Sequence, residues 1–181
     1  FYKDQQMSLL DDEERYRINV FDWKAEFPAI MNAGGFDAVI GNPPWLMAGY
    51  YVKEALDYFR SKFKSAQGKF DTYYLFTEQG LRLASDHGVF GMIVPNKFFH
   101  TNAASELRVL LSKPKWIRSI VDFGDEQIFS GATNYSCILF LQKQPSPNLR
   151  YIKAKAGLAV ISACRETSVE FSRIFSEFSC D

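Results

Sequence analysis

The chain has 181 residues, 47% hydrophobic, 16% aromatic and 23% charged, enough apolar material for one domain-sized core and unlike disordered, collagen-like or coiled-coil chains. Its 21 basic and 21 acidic side chains cancel, so no net field draws in a polyanion such as DNA, and affinity for one would have to come largely from outside the chain. Residues 61–120 hold nine basic and four acidic side chains, but these are scattered over helices and turns, as on solvated faces rather than a phosphate track. The sequence contains no run of eighteen apolar residues and no basic-then-apolar block at its start, which predicts neither a membrane span nor a signal peptide. Cys137, Cys164 and Cys180 lack CxxC or Cys/His spacing, so neither a disulfide framework nor a metal site is expected, and a reducing cytoplasm is the natural compartment.

In chain order, Met7, Leu9, Leu10 and Tyr16 recur like one face of a helix, giving a predicted helical segment over residues 1–19. Phe36 to Ile40 is a β-rich run bounded by Gly34-Gly35 and by Gly41-Asn42-Pro43-Pro44, read as a buried strand that ends in a rigid loop. Helical spacing returns from Tyr51 to Lys64 and again from Thr72 to Asp86, with Asp71 at the N-cap position and His87-Gly88 as the stop. Val89 to Pro95 is a second strand, Asn102 to Leu111 an amphipathic helix, and Trp116 to Phe123 and Tyr135 to Gln142 two more strands. Strands alternating with helices predict an α/β layered domain with a mostly parallel sheet. The last two strands have no helix between them, so one antiparallel strand is expected. Past Pro145-Ser146-Pro147 the rhythm is lost, and residues 144–181 read as a linker or tail, or the start of a truncated region.

Ligands of open parallel sheets collect outside the carboxyl ends of the strands, where Asn42-Pro43-Pro44-Trp45 stands. Two prolines fix φ and hold the preceding residues extended, so the loop keeps its carbonyl oxygens turned outward. Asn42 adds a side-chain carbonyl to the main-chain carbonyl of Pro43, and Trp45 a flat apolar face. That set suits gripping an exocyclic amino group on a planar ring. Two acceptors take the two N–H bonds, the indole stacks on the ring, and acceptors off the ring plane favour a pyramidal, nucleophilic nitrogen. Preorganised dipoles of this kind contribute about 3–4 kcal/mol each in a transition state and base stacking about 1–3 kcal/mol, comparable with the cost of extruding a base from a duplex. A plain strand-to-loop stop is the alternative reading of the four letters.

In its wider context, Phe36 to Trp45 (FDAVIGNPPW) resembles motif IV of the amino-methyltransferases and, with Asn first, is most similar to the adenine-N6 DNA methyltransferases. Gly68 to Phe76 resembles motif V, His87 to Phe99 motif VI, and Phe123 to Leu141 motifs VII and VIII. The wording is closest to the methyltransferase part of type IIG restriction-modification enzymes and their relatives in phage defence, across about Val20 to Lys143. The resemblance implies a Rossmann-like, S-adenosylmethionine-dependent fold, present as its carboxyl half over residues 20–143. It also implies double-stranded DNA as substrate, with a flipped adenine whose amino group Asn42 and the Pro43 carbonyl hold beside Pro44. Trp45 would stack on one side of that base and Phe129 on the other. Phe76, Asp71 and, with a stretched interval, Asp22 are the positions that match cofactor contacts. Phe129 and Phe76 could equally be core, and Asp71 a helix cap.

The family's Gly-rich cofactor loop and ribose-binding acid are expected upstream of residue 1, and a target-recognition domain or specificity subunit is expected as partner, without a membrane. Turnover by the isolated chain is therefore not expected. The resemblance leaves room for a protein-glutamine or RNA adenine methyltransferase, and for an inactive remnant that binds nucleic acid or a partner subunit. Cys137 lies inside a predicted strand and neither His87 nor His100 has a nucleophile to serve, so no covalent intermediate is expected.

Overall fold

The computed structural model describes residues 21–129, 135–154 and 165–170. The helix expected over residues 1–19 lies outside them. Two short helices, α1 (Trp23–Glu26) and α2 (Pro28–Asn32), precede β1 (Phe36–Gly41); then follow α3 (Lys53–Lys62), α4 (Thr72–Leu83), β2 (Ala84–Pro95), α5 (Ser105–Ser112), β3 (Ile117–Asp122), β4 (Ser136–Gln142), β5 (Asn148–Lys153) and β6 (Arg165–Glu170). The strands form one sheet in the order β1-β2-β4-β3-β5-β6.

β1 runs parallel to β2 and β3 parallel to β5, whereas β4 is antiparallel to both β2 and β3 between which it lies. That is the reversed strand expected from the lack of a predicted helix between the last two strands. β6 adds a second, antiparallel to β5. Residues 144–181 are thus not only a linker: their first part extends the sheet. Pro145 and Pro147 mask this in the sequence, but Leu149 is fully buried and Ser119 to Asp122 pair with Arg150 to Lys153.

Side chains alternate across the sheet, and the register sorts them into two faces. Val39, Phe90 and Leu141 lie in one row, with Met92, Leu139 and Ile120 in the next. This face is covered by α4 and by α5 with the turns before it, and buries Phe70, Tyr73, Phe98, Leu107, Leu111 and Ile117. At about 1.5–3 kcal/mol per fully buried large side chain, this is the main stabilising layer. α4 lies close against it because Gly80 has no Cβ, which would stand 2.4 Å from the Phe90 ring.

On the other face Ile40, Gly91 and Phe140 line up, and Ile40 is 86% exposed. β1 is therefore not the buried strand expected from its apolar run. Val39 reaches the core, while Asp37, Ala38 and Ile40 do not. Composition shows that a strand is apolar without showing which of its faces a neighbour covers.

α4 ends at Leu83, three residues short of the expected Asp86, because the chain passes straight into β2 there. Ala84 pairs with Phe36, and the next pairing joins Ala38 to Val89, so Ser85 to Gly88 bulge out of the ladder instead of closing the helix. Gly35, with φ +120°, packs its backbone where a Cβ would stand 2.4 Å from the Leu83 carbonyl oxygen. Only glycine fits there. At the far side of α4, buried Glu78 accepts from Lys64 N (3.1 Å), Ser65 N (2.9 Å) and Ser65 Oγ (2.8 Å) and pairs with Arg82, which fastens the chain leaving α3.

Candidate active site

β1, β2 and β3 deliver their carboxyl ends to one edge of the sheet. β1 runs into Asn42-Pro43-Pro44-Trp45, β2 into a 3-10 turn over Asn96–Phe99, and β3 into the segment that reaches Phe129. Asn42 is exposed, Pro43 buried, Pro44 exposed and Trp45 half-buried against the core. Asn42 is thus open to solvent, while Trp45 is only partly so: its indole Nε1 is buried, with no hydrogen-bond partner among the described residues.

The loop is held by the start of α4. Thr72 Oγ1 accepts from Leu46 N (2.9 Å) and donates to the Pro44 carbonyl (2.8 Å), Thr72 N donates to Leu46 O (2.9 Å), and Ala48 N donates to Phe70 O (2.8 Å). Met47 and Asp71 form a single antiparallel bridge. The Pro44 carbonyl is thereby engaged.

Phe129 comes back across the rim to meet Trp45, ring centroids 5.7 Å apart and planes at 69°. The segment between β3 and Phe129 is set by Asn96, whose Nδ2 donates to Asp122 Oδ1 (3.0 Å) and to the Gly124 carbonyl (2.9 Å). Gly124 N also donates to Asp122 Oδ1 (3.0 Å), and Tyr151 of β5 donates its hydroxyl to Asp122 Oδ2. Burial, together with the Asp122 carboxylate, pushes the Tyr151 phenol far above its ordinary pKa, so this donor keeps its proton. Cys137, fully buried, is likewise pushed up by burial and by Asp122, which makes it a packing thiol and not a nucleophile.

The three positions expected near a cofactor differ in their surroundings. Asp22 caps α1, its Oδ1 accepting from Lys24 N (2.8 Å). Trp23 beside it rests on Phe36, 5.7 Å between centroids, which sets Asp22 near the start of β1. Asn42 follows the strand's end, about 17 Å along at 3.3 Å per residue. Asp71 occupies the N-cap position of α4, yet its side chain makes no capping bond. Only 4% exposed, it pairs with Lys97, Nζ to Oδ2 2.7 Å. Phe76, 46% exposed on α4, is the one of the three that presents a flat surface outward.

Lys97 was not among the residues singled out from sequence, although a lone charge in the apolar stretch from Val89 to Phe99 was a visible signal. Among the described residues no group of three or more His, Cys, Asp or Glu is placed to hold a metal ion, and no helix is long and apolar enough to cross a membrane.

Residues 2–129, which include Asn42 to Trp45 and end at Phe129, match the Eco57I restriction-modification methylase family. The chain belongs to that family. It is 32% identical over 146 residues to the type II restriction enzyme and methyltransferase RM.Eco57I of Escherichia coli, an alignment covering 79% of this chain and 14% of that protein. It is 28% identical over 174 residues to the putative type II restriction enzyme and methyltransferase RM.MjaORFECS2P of Methanocaldococcus jannaschii, covering 93% and 14%. The chain thus spans about a seventh of the length of these relatives. Among solved structures, the type IIG restriction endonuclease BpuSI superposes with a TM-score of 0.62 at 13% identity, covering 82% of this chain and 21% of that one. A putative class I S-adenosylmethionine-dependent methyltransferase from Listeria monocytogenes gives 0.55 at 21% identity, covering 80% and 43%. The family member's sheet is therefore of the Rossmann-like methyltransferase kind, with the Asn-Pro-Pro-Trp loop at its open edge.

Proposed function

We propose that this chain is the base-holding part of an S-adenosylmethionine-dependent adenine-N6 DNA methyltransferase in a restriction-modification or phage-defence system of the cytoplasm. The observation that carries the reading is the exposed Asn42 next to a half-buried Trp45, with Phe129 facing that indole across the rim. A flipped adenine between the two rings would present its amino group to the Asn42 side-chain oxygen and the Pro43 carbonyl. Both oxygens accept N–H bonds and draw the nitrogen lone pair out of the ring, so the nitrogen would attack the methyl carbon as its bond to the sulfonium sulfur breaks, and the proton it then sheds would pass to solvent without a strong base. Pro44 keeps the loop in place through Thr72.

S-adenosylmethionine supplies the methyl group as an electrophilic carbon on a sulfonium. Of the expected cofactor positions, Phe76 offers an exposed ring and Asp22 an exposed carboxylate that caps α1 through one oxygen, while Asp71 is buried against Lys97. The reading calls for a Gly-rich cofactor loop and for a target-recognition domain or specificity subunit as partner. The second aromatic wall at Phe129 favours a flipped base over the planar amide of a glutamine.

The test uses the intact protein, duplex DNA and labelled S-adenosylmethionine, with N6-methyladenine read by mass spectrometry. Asn42→Ala should lower transfer by about a hundredfold or more with DNA and cofactor binding retained. Label in a protein glutamine instead of DNA, or undiminished transfer by Asn42→Ala, defeats the reading.

A further inference from the structure

Asp71 and Lys97 join two parts of the rim that are 26 positions apart in the sequence. Asp71 is buried, its Oδ2 lies 2.7 Å from Lys97 Nζ, and its Oδ1 has no hydrogen-bond partner among the described residues. Burying a carboxylate without full satisfaction is unfavourable, and this one also forgoes the helix cap that its position offers. The pairing with Lys97 therefore has a structural cost that ordinary helix chemistry does not explain.

What the pair connects gives the reason. On one side Asp71 bridges Met47, and its neighbours Phe70 and Thr72 make the hydrogen bonds that hold Pro44, Leu46 and Ala48. On the other side Lys97 sits in the turn after β2 next to Asn96, which grips Asp122 and Gly124 at the root of the segment bearing Phe129. Contacts thus run from the Asn42–Trp45 loop through Asp71 and Lys97 to the Phe129 segment. The Asp71–Lys97 pair is a side-chain link between the two halves, beside the Trp45–Phe129 ring contact.

We propose that Lys97 and Asp71 are a positioning pair that sets how far apart the Trp45 and Phe129 walls stand and how Asn42 meets the base. This rests on the function proposed above. With its ammonium on Asp71 and its side chain 32% exposed, Lys97 acts through the loop and not as a phosphate contact.

The experiment compares Lys97→Met, Asp71→Asn, the double variant, Lys97→Arg and Asn42→Ala in the intact protein. It reads single-turnover methyl transfer, KM for DNA at several salt concentrations, 2-aminopurine emission at the target base, and melting temperature. Each single variant should slow transfer about ten- to a hundredfold, as small misplacements do, with KM within about twofold and weaker 2-aminopurine emission. The double should be no slower than the slower single, since both act through one contact, and Lys97→Arg should recover most of the rate. Should Lys97→Met not fold, the double variant, which leaves no lone buried charge, carries the comparison. Lower melting temperature with unchanged transfer below it would reduce the pair to fold stability and overturn the proposal. A raised KM whose salt slope falls by about one would reveal a phosphate contact and overturn it too. Asn42→Ala keeps the two ideas separate: if it transfers normally the site itself is misassigned, whereas if it is inactive and Lys97→Met is not impaired, only the positioning pair fails.

Discussion

Trp45 and Phe129 meet edge to face, 5.7 Å between centroids, so the slot they flank is closed. A base stacked between them needs about 3.5 Å on each side, or about 7 Å between walls. On the proposed function, one ring must rotate and retreat by about 1 Å for a purine to enter between them.

Phe129→Ala in the intact protein should therefore lower kcat/KM on a fully paired site by about tenfold or more, from the loss of about 1–3 kcal/mol of stacking. The loss should shrink when the target base is mismatched, because extrusion then costs less. Equal losses on both substrates would count against a stacking role.

At Trp45, Phe should be milder than Ala, since a smaller ring still stacks while Ala removes the wall. Rates measured for both on one substrate decide this. Equal defects would point to packing of the indole against the core as its only role.

Thr72→Val removes the hydroxyl that holds Leu46 N and the Pro44 carbonyl. The expected cost is about 1–3 kcal/mol in denaturant unfolding, with slower methyl transfer, and Thr72→Ser should restore both. A valine variant as stable as the parent would show that the prolines alone hold the loop.

Glu78 supplies an acid-sensitive joint. Burial alone would raise its pKa, but the Ser65 N–H and hydroxyl, the Lys64 N–H and Arg82 outweigh it and hold the carboxyl below its ordinary value. Its contribution is thus full above the ordinary glutamate pKa of about 4.3 and vanishes as pH falls through the lower, folded value. Glu78→Gln should be less stable at pH 7 and should show a flatter loss of stability between about pH 5 and 3. Parallel stability curves for parent and variant would refute this.

The proline loop was legible because its residues are local. Asn42, two prolines and Trp45 are consecutive, and the stiffness of the loop follows from the ring of each proline. The α/β layering was legible for the same reason, since the periods of Phe36–Ile40 and Thr72–Leu83 differ within a few residues. What escaped was set by partners remote in sequence. Asp71 looked like a helix cap, and its attachment to Lys97 is visible only once β2 and α4 are adjacent. Asp22 also caps the helix just after it through one oxygen, which the sequence reading did not include. Nor could the apolar letters of β1 say that Ala38 and Ile40 would face outward, because that depends on what other layers exist. The strand at Asn148–Lys153 was hidden by flanking prolines and declared only by its pairing with β3.

The bare flank of β1 has a practical consequence for anyone preparing this polypeptide. Ile40, Val89 and Phe140 stay wet on one side of the sheet, and along β1 no strand takes up the outer ladder among the described residues. Surfaces of that kind recruit copies of themselves. The chain made alone should self-associate as its concentration rises in light scattering, and Ile40→Lys should delay that onset while leaving the melting temperature nearly unchanged.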